Sequence, residues 1–179
     1  MASRIAFSIL KGTSCRSPEF MRSVLITHIR PTLDFSSTVW HTGYLTDYRL
    51  LERVQRRWTK RISGFQHLNY KDRLLTLNLF SIKGRLIRLD LIQVWKVVHG
   101  HSPSLSHLFQ YPPANVTRGH NFKLFVPRAL SDIRTRFFSV RVVPLWNSLP
   151  DRIVSAATLS SFKRLLVEVL GDTLFQYDD

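Results

Sequence analysis

The carboxylates are the side chains from which metal-dependent chemistry would have to be built. Two-metal catalysis needs carboxylates that hold two cations within about 4 Å of each other. The 12 Asp and Glu residues are mostly isolated, next to basic residues or at helix caps. One adjacent pair, Asp178 and Asp179, follows Tyr177, with no further Asp placed to complete a metal site. We therefore predict no catalytic residues and no bound metal, and we expect the chain not to be an enzyme.

Histidine, cysteine and glycine patterns also lack the spacing of a functional site. His99 and His101 flank a glycine, but no further Cys, His or carboxylate falls at zinc-finger spacing. Cys15 is the one cysteine, which excludes an internal disulfide and fits a reducing compartment. No phosphate-binding glycine loop and no nucleophile elbow is present. We expect no cofactor and no small-molecule substrate.

The charge is strongly basic and uneven along the chain. Lys and Arg total 26 against 12 Asp and Glu, a formal net charge of +14. Residues 1–100 carry 17 basic and 6 acidic side chains, whereas residues 101–179 carry 9 and 6. Such an excess favours a polyanionic partner, either nucleic acid or an anionic membrane surface. Electrostatic binding is expected in the first half.

A basic amphipathic helix is predicted from Asp47 to Ser63. Its apolar seam has spacings of 3, 4 and 4 and consists of Leu51, Val54, Trp58 and Ile62. A second stripe on the same helix is basic and is broadened by two further arginines, giving Arg49, Arg53, Arg56, Arg57, Lys60 and Arg61 as candidate phosphate contacts. At about 1.5 Å per residue, the stripe extends over about 16 Å.

Two other interpretations of this helix remain open. A solvated basic face is the usual role of a charge run, but only Asp47 and Glu52 lie close enough in sequence to neutralise six cations. A helix lying on a membrane surface is less favoured, because the apolar seam is no larger than a protein core requires. Nucleic-acid contact through phosphates is therefore the preferred interpretation. Trp40, Trp58 and Trp95 are expected to form the core behind these cations.

Capping residues and Gly or Pro stops predict a mainly α fold. The expected elements are a helix capped by Ser17 and running to Ile29, where Pro31 interrupts it; the basic helix opened by Thr46-Asp47 and ended by Gly64; a helix from Asn69 to Leu77; one from Ser81 to Gly100; one over residues 137–149 disturbed by Pro144; and one capped by Thr158 or Ser160 and running to Leu170. The helix from Ser81 to Gly100 is expected to bury Leu86, Leu89, Val94, Trp95 and Val98.

Residues 101–121 are rich in turn-forming residues and are the predicted linker. They separate a region 1–100 from a region 122–179. In the second region, residues 122–126 are apolar and are stopped by Pro127, which favours a short strand. The expected architecture is a helical bundle followed by a small helical lobe with at most a short β-hairpin. No apolar run approaches the about 20 residues of a transmembrane helix, and no secretory leader is recognised. The chain is expected to be intracellular, nuclear or cytoplasmic.

Several short blocks occur in a characteristic order. They read RPTLDF with VW (residues 30–40), LERVQRR (51–57), YKDRL with LNL (70–79), DLI with WKVVHG (90–100) and WNSLP (146–150). This series resembles the region downstream of the polymerase palm in LINE-type (non-LTR) retrotransposon reverse transcriptases, with the jockey-like and chicken-repeat-like groups most similar. The resemblance covers nearly the whole chain, and the order of the blocks makes it specific.

The resemblance implies a thumb over residues 1–100, a helical lobe that rests on the template–primer duplex, followed by a C-terminal extension. The parent family is an RNA-directed DNA polymerase, but its palm, fingers and catalytic aspartates have no counterpart here. Tyr177-Asp178-Asp179 resembles the aromatic-x-Asp-Asp motif of that family only superficially and is treated as coincidence. The implied partners are nucleic acid, bound without sequence specificity, and the missing palm and fingers.

Two alternatives to this function remain open. One is a decayed reading frame without selected activity, whose product would be molten and aggregating. The other is a protein-interaction module that uses the aromatic residues of the second half, namely Phe122, Phe125, Phe137, Phe138 and Trp146.

Overall fold

A computed structural model describes residues 1–41, 43–112 and 120–177 and is 66% helical. Its α-helices are α1 (Ala2–Gly12), α2 (Pro18–Val24), α3 (Arg30–Asp34), α4 (Ser37–Trp40), α5 (Leu45–Thr59), α6 (Tyr70–Thr76), α7 (Ile82–Val98), α8 (Asp132–Thr135), α9 (Phe138–Asn147), α10 (Asp151–Val154) and α11 (Leu159–Leu170). Single 3₁₀ segments cover Pro103–Leu108 and Gly171–Phe175. No strand occurs in the described ranges, so the mainly α fold class is confirmed.

Four predicted helix caps are confirmed. The Ser17 side chain accepts a hydrogen bond from the Phe20 amide, and Asn69 accepts one from the Asp72 amide. Ser81 Oγ accepts from the Gly84 amide at 3.1 Å. Of the two candidate caps for α11, Thr158 is the one used, with its hydroxyl accepting from the Ser161 amide. Each cap satisfies a backbone N–H that the first helical turn leaves without a partner.

Pro31 does not interrupt the helical path, contrary to the prediction. Between α2 and α3 the chain forms a π-helical turn, Leu25–Ile29, and the Arg30 amide donates to the Leu25 carbonyl oxygen five residues back. Since proline has no N–H, a regular α-helix would lose one bond at residue 31. The wider turn lets Pro31 stand at the start of α3, where no donor is required.

The first compact unit comprises Met1–Ser37, Gly43–Leu86 and Asp172–Asp179. In this unit α1 packs against the π-helical turn, α3 and α5. Its fully buried side chains include Trp58, Ile62 and Leu74. The helix α1 was not predicted, and no side-chain cap marks its start.

The second compact unit comprises Thr38–Thr42 and Ile87–Gly171. Its core combines aliphatic side chains with aromatic ones, of which Trp95, Trp146 and Phe162 are fully buried. Four of the predicted core positions of α7 lie in this unit. Val94 and Trp95 are buried, as predicted, whereas Leu89 and Val98 are only half-buried. The predicted division of the chain at residues 101–121 stays a prediction, and residues 113–119 lie outside the described ranges.

The predicted strand over residues 122–126 is wrong, and Asn147 provides the reason. Its side-chain oxygen accepts from the Leu124 amide at 3.0 Å, and its side-chain amide donates to the Leu124 carbonyl oxygen at 2.8 Å. A single side chain thus provides both bonds that a neighbouring strand would provide. The segment therefore belongs to no sheet in the described part of the chain.

No helix in the described ranges combines the length and the apolar character needed to span a bilayer.

Candidate nucleic-acid interface

The exposed face of α5 carries a row of arginines. Arg49, Arg53 and Arg57 are all exposed, and their four-residue spacing keeps them on one side of the helix. Lys60 and Arg61 are exposed in the turn that follows. Among the described residues, no carboxylate lies within ion-pair distance of any of these five side chains. The exposed face therefore carries five cations without a neutralising partner in the described chain.

The helix that presents these cations is shorter than predicted. It ends at Thr59, and residues 60–63 form turns, so the predicted helical end at Ser63 is wrong. Gly64 has a φ of +81° and lies in the turn beyond the helix. Lys60 and Arg61 consequently stand on a turn at the end of the arginine row.

Arg56 does not belong to the exposed row. Its guanidinium lies 4.9 Å from the ring centre of Tyr70 and 4.6 Å from that of Tyr177. The two tyrosine rings meet edge to face, with centres 4.9 Å apart. A cation over an aromatic face stabilises the fold by about 0.5–2 kcal/mol. Arg56 therefore attaches the C-terminal segment to α6, and the sequence prediction that grouped it with the phosphate contacts does not match its position.

The buried stripe of α5 is largely polar, which the predicted apolar seam did not anticipate. The buried residues are Tyr48, Glu52, Gln55, Trp58 and Thr59. Of the predicted seam, Trp58 and Ile62 are buried, whereas Leu51 and Val54 are only half-buried. The helix is thus rotated relative to the prediction.

Gln55 is the centre of a buried hydrogen-bond network. Its side-chain oxygen accepts from two nitrogens of Arg30, at 3.1 and 3.0 Å. Its side-chain amide donates to Tyr70 Oη and to the Phe80 carbonyl oxygen, both at 3.0 Å. Burial, together with the nearby Arg85, lowers the pKa of Arg30 to about 10. Because every donor and acceptor of the Gln55 amide group is used, the polar stripe can be buried without leaving an orphaned group.

Glu52 connects this network to the start of α7. Its carboxylate accepts from Tyr70 Oη and from the Ile82 amide, the latter at 2.8 Å. Burial raises the pKa of Glu52, while the bonds from Tyr70 and Ile82 act in the opposite direction. Glu52 was considered as one of two local carboxylates able to neutralise the basic helix. It points into the interior instead, so it cannot screen the exposed arginines.

A surface groove of about 390 Å³ runs between α1 and the end of α5. One wall is formed by Phe7 and Leu10, and the other by Arg57, Lys60 and Arg61. No carboxylate is among its lining residues. The groove was not predicted, because α1 was not identified from the sequence.

The three tryptophans expected to form the core have different positions. Trp58 and Trp95 are buried, in the first and the second unit respectively, whereas Trp40 is 36% exposed. The expectation is therefore confirmed for two of them and wrong for Trp40.

The second unit contains a buried ionic cluster. Asp90 accepts from Arg141 in a bidentate arrangement, and His41 Nδ1 lies 3.0 Å from its carboxylate. The paired histidines are structural too, since the rings of His99 and His101 both stack on Trp95. No group of three or more metal-binding side chains occurs in the described part of the chain. Asp178 and Asp179 lie outside it.

Comparison of the chain with protein-family models, curated proteins and solved structures finds no match. The resemblance to the LINE-type reverse transcriptases therefore stays a prediction that depends on the ordered motifs.

Proposed function

We propose that this chain binds nucleic acid through its phosphates, without sequence specificity, on the exposed face of α5. The observation that carries the proposal is the row Arg49, Arg53 and Arg57, continued by Lys60 and Arg61, with no carboxylate within ion-pair distance among the residues that the structure describes. At 1.5 Å per residue, Arg49 and Arg57 are about 12 Å apart along the helix axis. One strand of a duplex presents about three phosphates over that length.

The Glu52 side chain points into the interior and does not neutralise the arginines. This favours phosphate binding over a basic face that is merely solvated. Adjacent like charges repel, and a helix selected only for stability would place acidic residues among them. A row of cations with few acidic side chains among them is instead typical of a surface that releases counterions when it binds a polyanion.

We further propose that the chain is the non-catalytic C-terminal part of a LINE-type reverse transcriptase, comprising the thumb and the C-terminal extension. The ordered blocks of the sequence support this origin. Residues of these blocks also have demanding structural roles, such as Arg30, Glu52 and Gln55 in the buried network and Asn147 beside Leu124. Such roles explain why those residue types would be retained together.

The test is the salt dependence of duplex binding. Affinity for a labelled duplex, measured by fluorescence anisotropy between about 50 and 200 mM salt, should fall steeply, with about 0.9 in the logarithmic slope for each phosphate contacted. The double variant Arg53→Glu/Arg57→Glu should abolish binding. A matched control is Arg128→Glu/Arg164→Glu, which changes net charge equally at two other exposed sites. Equal losses in both variants would refute a dedicated surface on α5.

A protein-interaction module is the second candidate, and exposed apolar residues favour it. Of the five aromatic residues considered, Phe138 and Trp146 are buried, whereas Phe125 and Phe137 are 46% and 52% exposed. Leu130 and Ile133 near them are 88% and 74% exposed. Exposed apolar side chains of this size are typical of surfaces that contact another protein.

The two candidates are distinguished by nuclease treatment of a pull-down. Partner capture that survives the nuclease and is lost in Leu130→Ser/Ile133→Ser would favour the interaction module. A molten product that binds no partner and no duplex would favour a decayed reading frame.

A further inference from the structure

The groove between α1 and α5 has an apolar wall and a basic wall, and a single ligand would have to bind to both. Its α1 wall presents the Phe7 ring, which is 59% exposed, beside Leu10. Its opposite wall presents Arg57, Lys60 and Arg61. The volume of about 390 Å³ falls within the range of about 300–1,000 Å³ in which proteins bind small groups.

A further cation lies beside the aromatic wall. Lys11 Nζ lies 4.9 Å from the centre of the Phe7 ring. A purely apolar ligand would bury the groove's cations without a partner, which costs free energy. A simple anion would leave Phe7 and Leu10 in water. A nucleotide satisfies both walls, because its base has a flat apolar face and its phosphate is an anion.

We propose that this groove holds an unstacked base of a single-stranded segment next to the duplex bound on α5. The inference rests on the proposed function and refines it to a junction between duplex and single strand. Arg57, Lys60 and Arg61 belong both to the exposed row and to the groove, so a strand that leaves the duplex enters the groove without crossing an uncharged gap. Aromatic stacking beside a basic track is the means by which proteins hold single strands without reading sequence.

The experiment compares two probes, a blunt duplex and the same duplex with a short single-stranded overhang. The unaltered protein should bind the overhang probe about tenfold more tightly, as expected for one stacked base. Phe7→Ala should abolish this difference and leave blunt-duplex affinity unchanged. Phe7→Trp, which keeps an aromatic face, should retain it.

Phe35→Ala is the matched control, because Phe35 is 79% exposed and does not line the groove. It should behave like the unaltered protein. Thermal unfolding of each variant verifies that the fold is retained, which is expected because Phe7 packs little. A preference for the overhang that survives Phe7→Ala would overturn the assignment of the groove.

Two other outcomes would test different parts of the proposal. Absence of binding to both probes would refute the proposed function of α5 itself. Binding of a poly-glutamate peptide in the groove, with Phe7-dependent affinity equal to that of the overhang, would assign the groove to an acidic protein and overturn the proposal for a base.

Discussion

Replacing Gly84 with alanine should destabilise the first unit. An added Cβ at Gly84 would lie 2.5 Å from Cα and from the carbonyl oxygen of Leu174, closer than packed atoms approach. The obstacle is backbone, so no side-chain rotation relieves the contact. Gly84 stands in the first turn of α7, where alanine would otherwise favour the helix by up to about 1 kcal/mol. The close contact with the Leu174 backbone therefore opposes the helix preference of alanine.

The size of the effect follows from what the segment around Leu174 contributes. Overpacking of a core costs about 1–3 kcal/mol when the structure shifts to accommodate it. If the segment detaches instead, burial of Leu174 worth about 1.5–3 kcal/mol is lost. The hydrogen bond from the Ser81 amide to the Leu174 carbonyl oxygen, at 2.9 Å, is lost with it. After the helix preference is subtracted, we expect a loss of about 1–2 kcal/mol.

Urea unfolding of Gly84→Ala measures this loss, with Gly12→Ala as the control. Gly12 is the last residue of α1 and has no atom near the position of an added Cβ, so its replacement should leave stability unchanged or raise it by up to about 1 kcal/mol. Hydrogen exchange should also show faster exchange at residues 172–177 in Gly84→Ala alone. A Gly84→Ala protein as stable as the unaltered one, with those amides still protected, would refute the close packing.

Three further predictions concern hydrogen bonds and ionisation. Burial raises the pKa of Glu52 above its ordinary value of 4.5, so the stabilisation by protonated Glu52 is complete below pH 4.5 and is lost as the pH rises through the raised pKa. In urea unfolding at a series of pH values, the stability of Glu52→Gln relative to the unaltered protein should therefore increase over that pH range. Asn147→Ala should cost about 1–3 kcal/mol in the same assay by leaving buried backbone groups without partners, whereas the exposed neighbour Ser148→Ala should cost little. Thr158→Ala should lower the thermal midpoint through loss of about 1 kcal/mol of capping, and Ser160→Ala should leave it unchanged.

Local chemistry made much of the fold predictable. The caps at Ser17, Asn69, Ser81 and Thr158 follow from side chains that bond their own backbone within three residues. Such interactions require no knowledge of the rest of the chain, and each of these four starts was correct.

Long-range partners account for the parts that could not be predicted. The orientation of α5 depends on Arg30, which lies 25 residues before Gln55 and makes a polar stripe stable inside the core. Arg56 is withdrawn from the candidate surface by Tyr177, over a hundred residues away. Hydrophobic spacing contains no information on either partner. The arginines at positions 49, 53 and 57, by contrast, needed only the helical period to be placed on one face.

The π-helical turn at Leu25–Ile29 makes the number of residues in this segment important for the first unit. A π turn holds one residue more than an α turn, so the extra residue is taken up within the turn and the side chains that follow keep their direction. Arg30, which follows the turn, donates to Gln55. Deleting one residue here would return the turn to α-helical bonding, in which proline at residue 31 lacks the N–H that the bond four residues back requires. Substitutions in this turn should accordingly be tolerated far better than single-residue deletions.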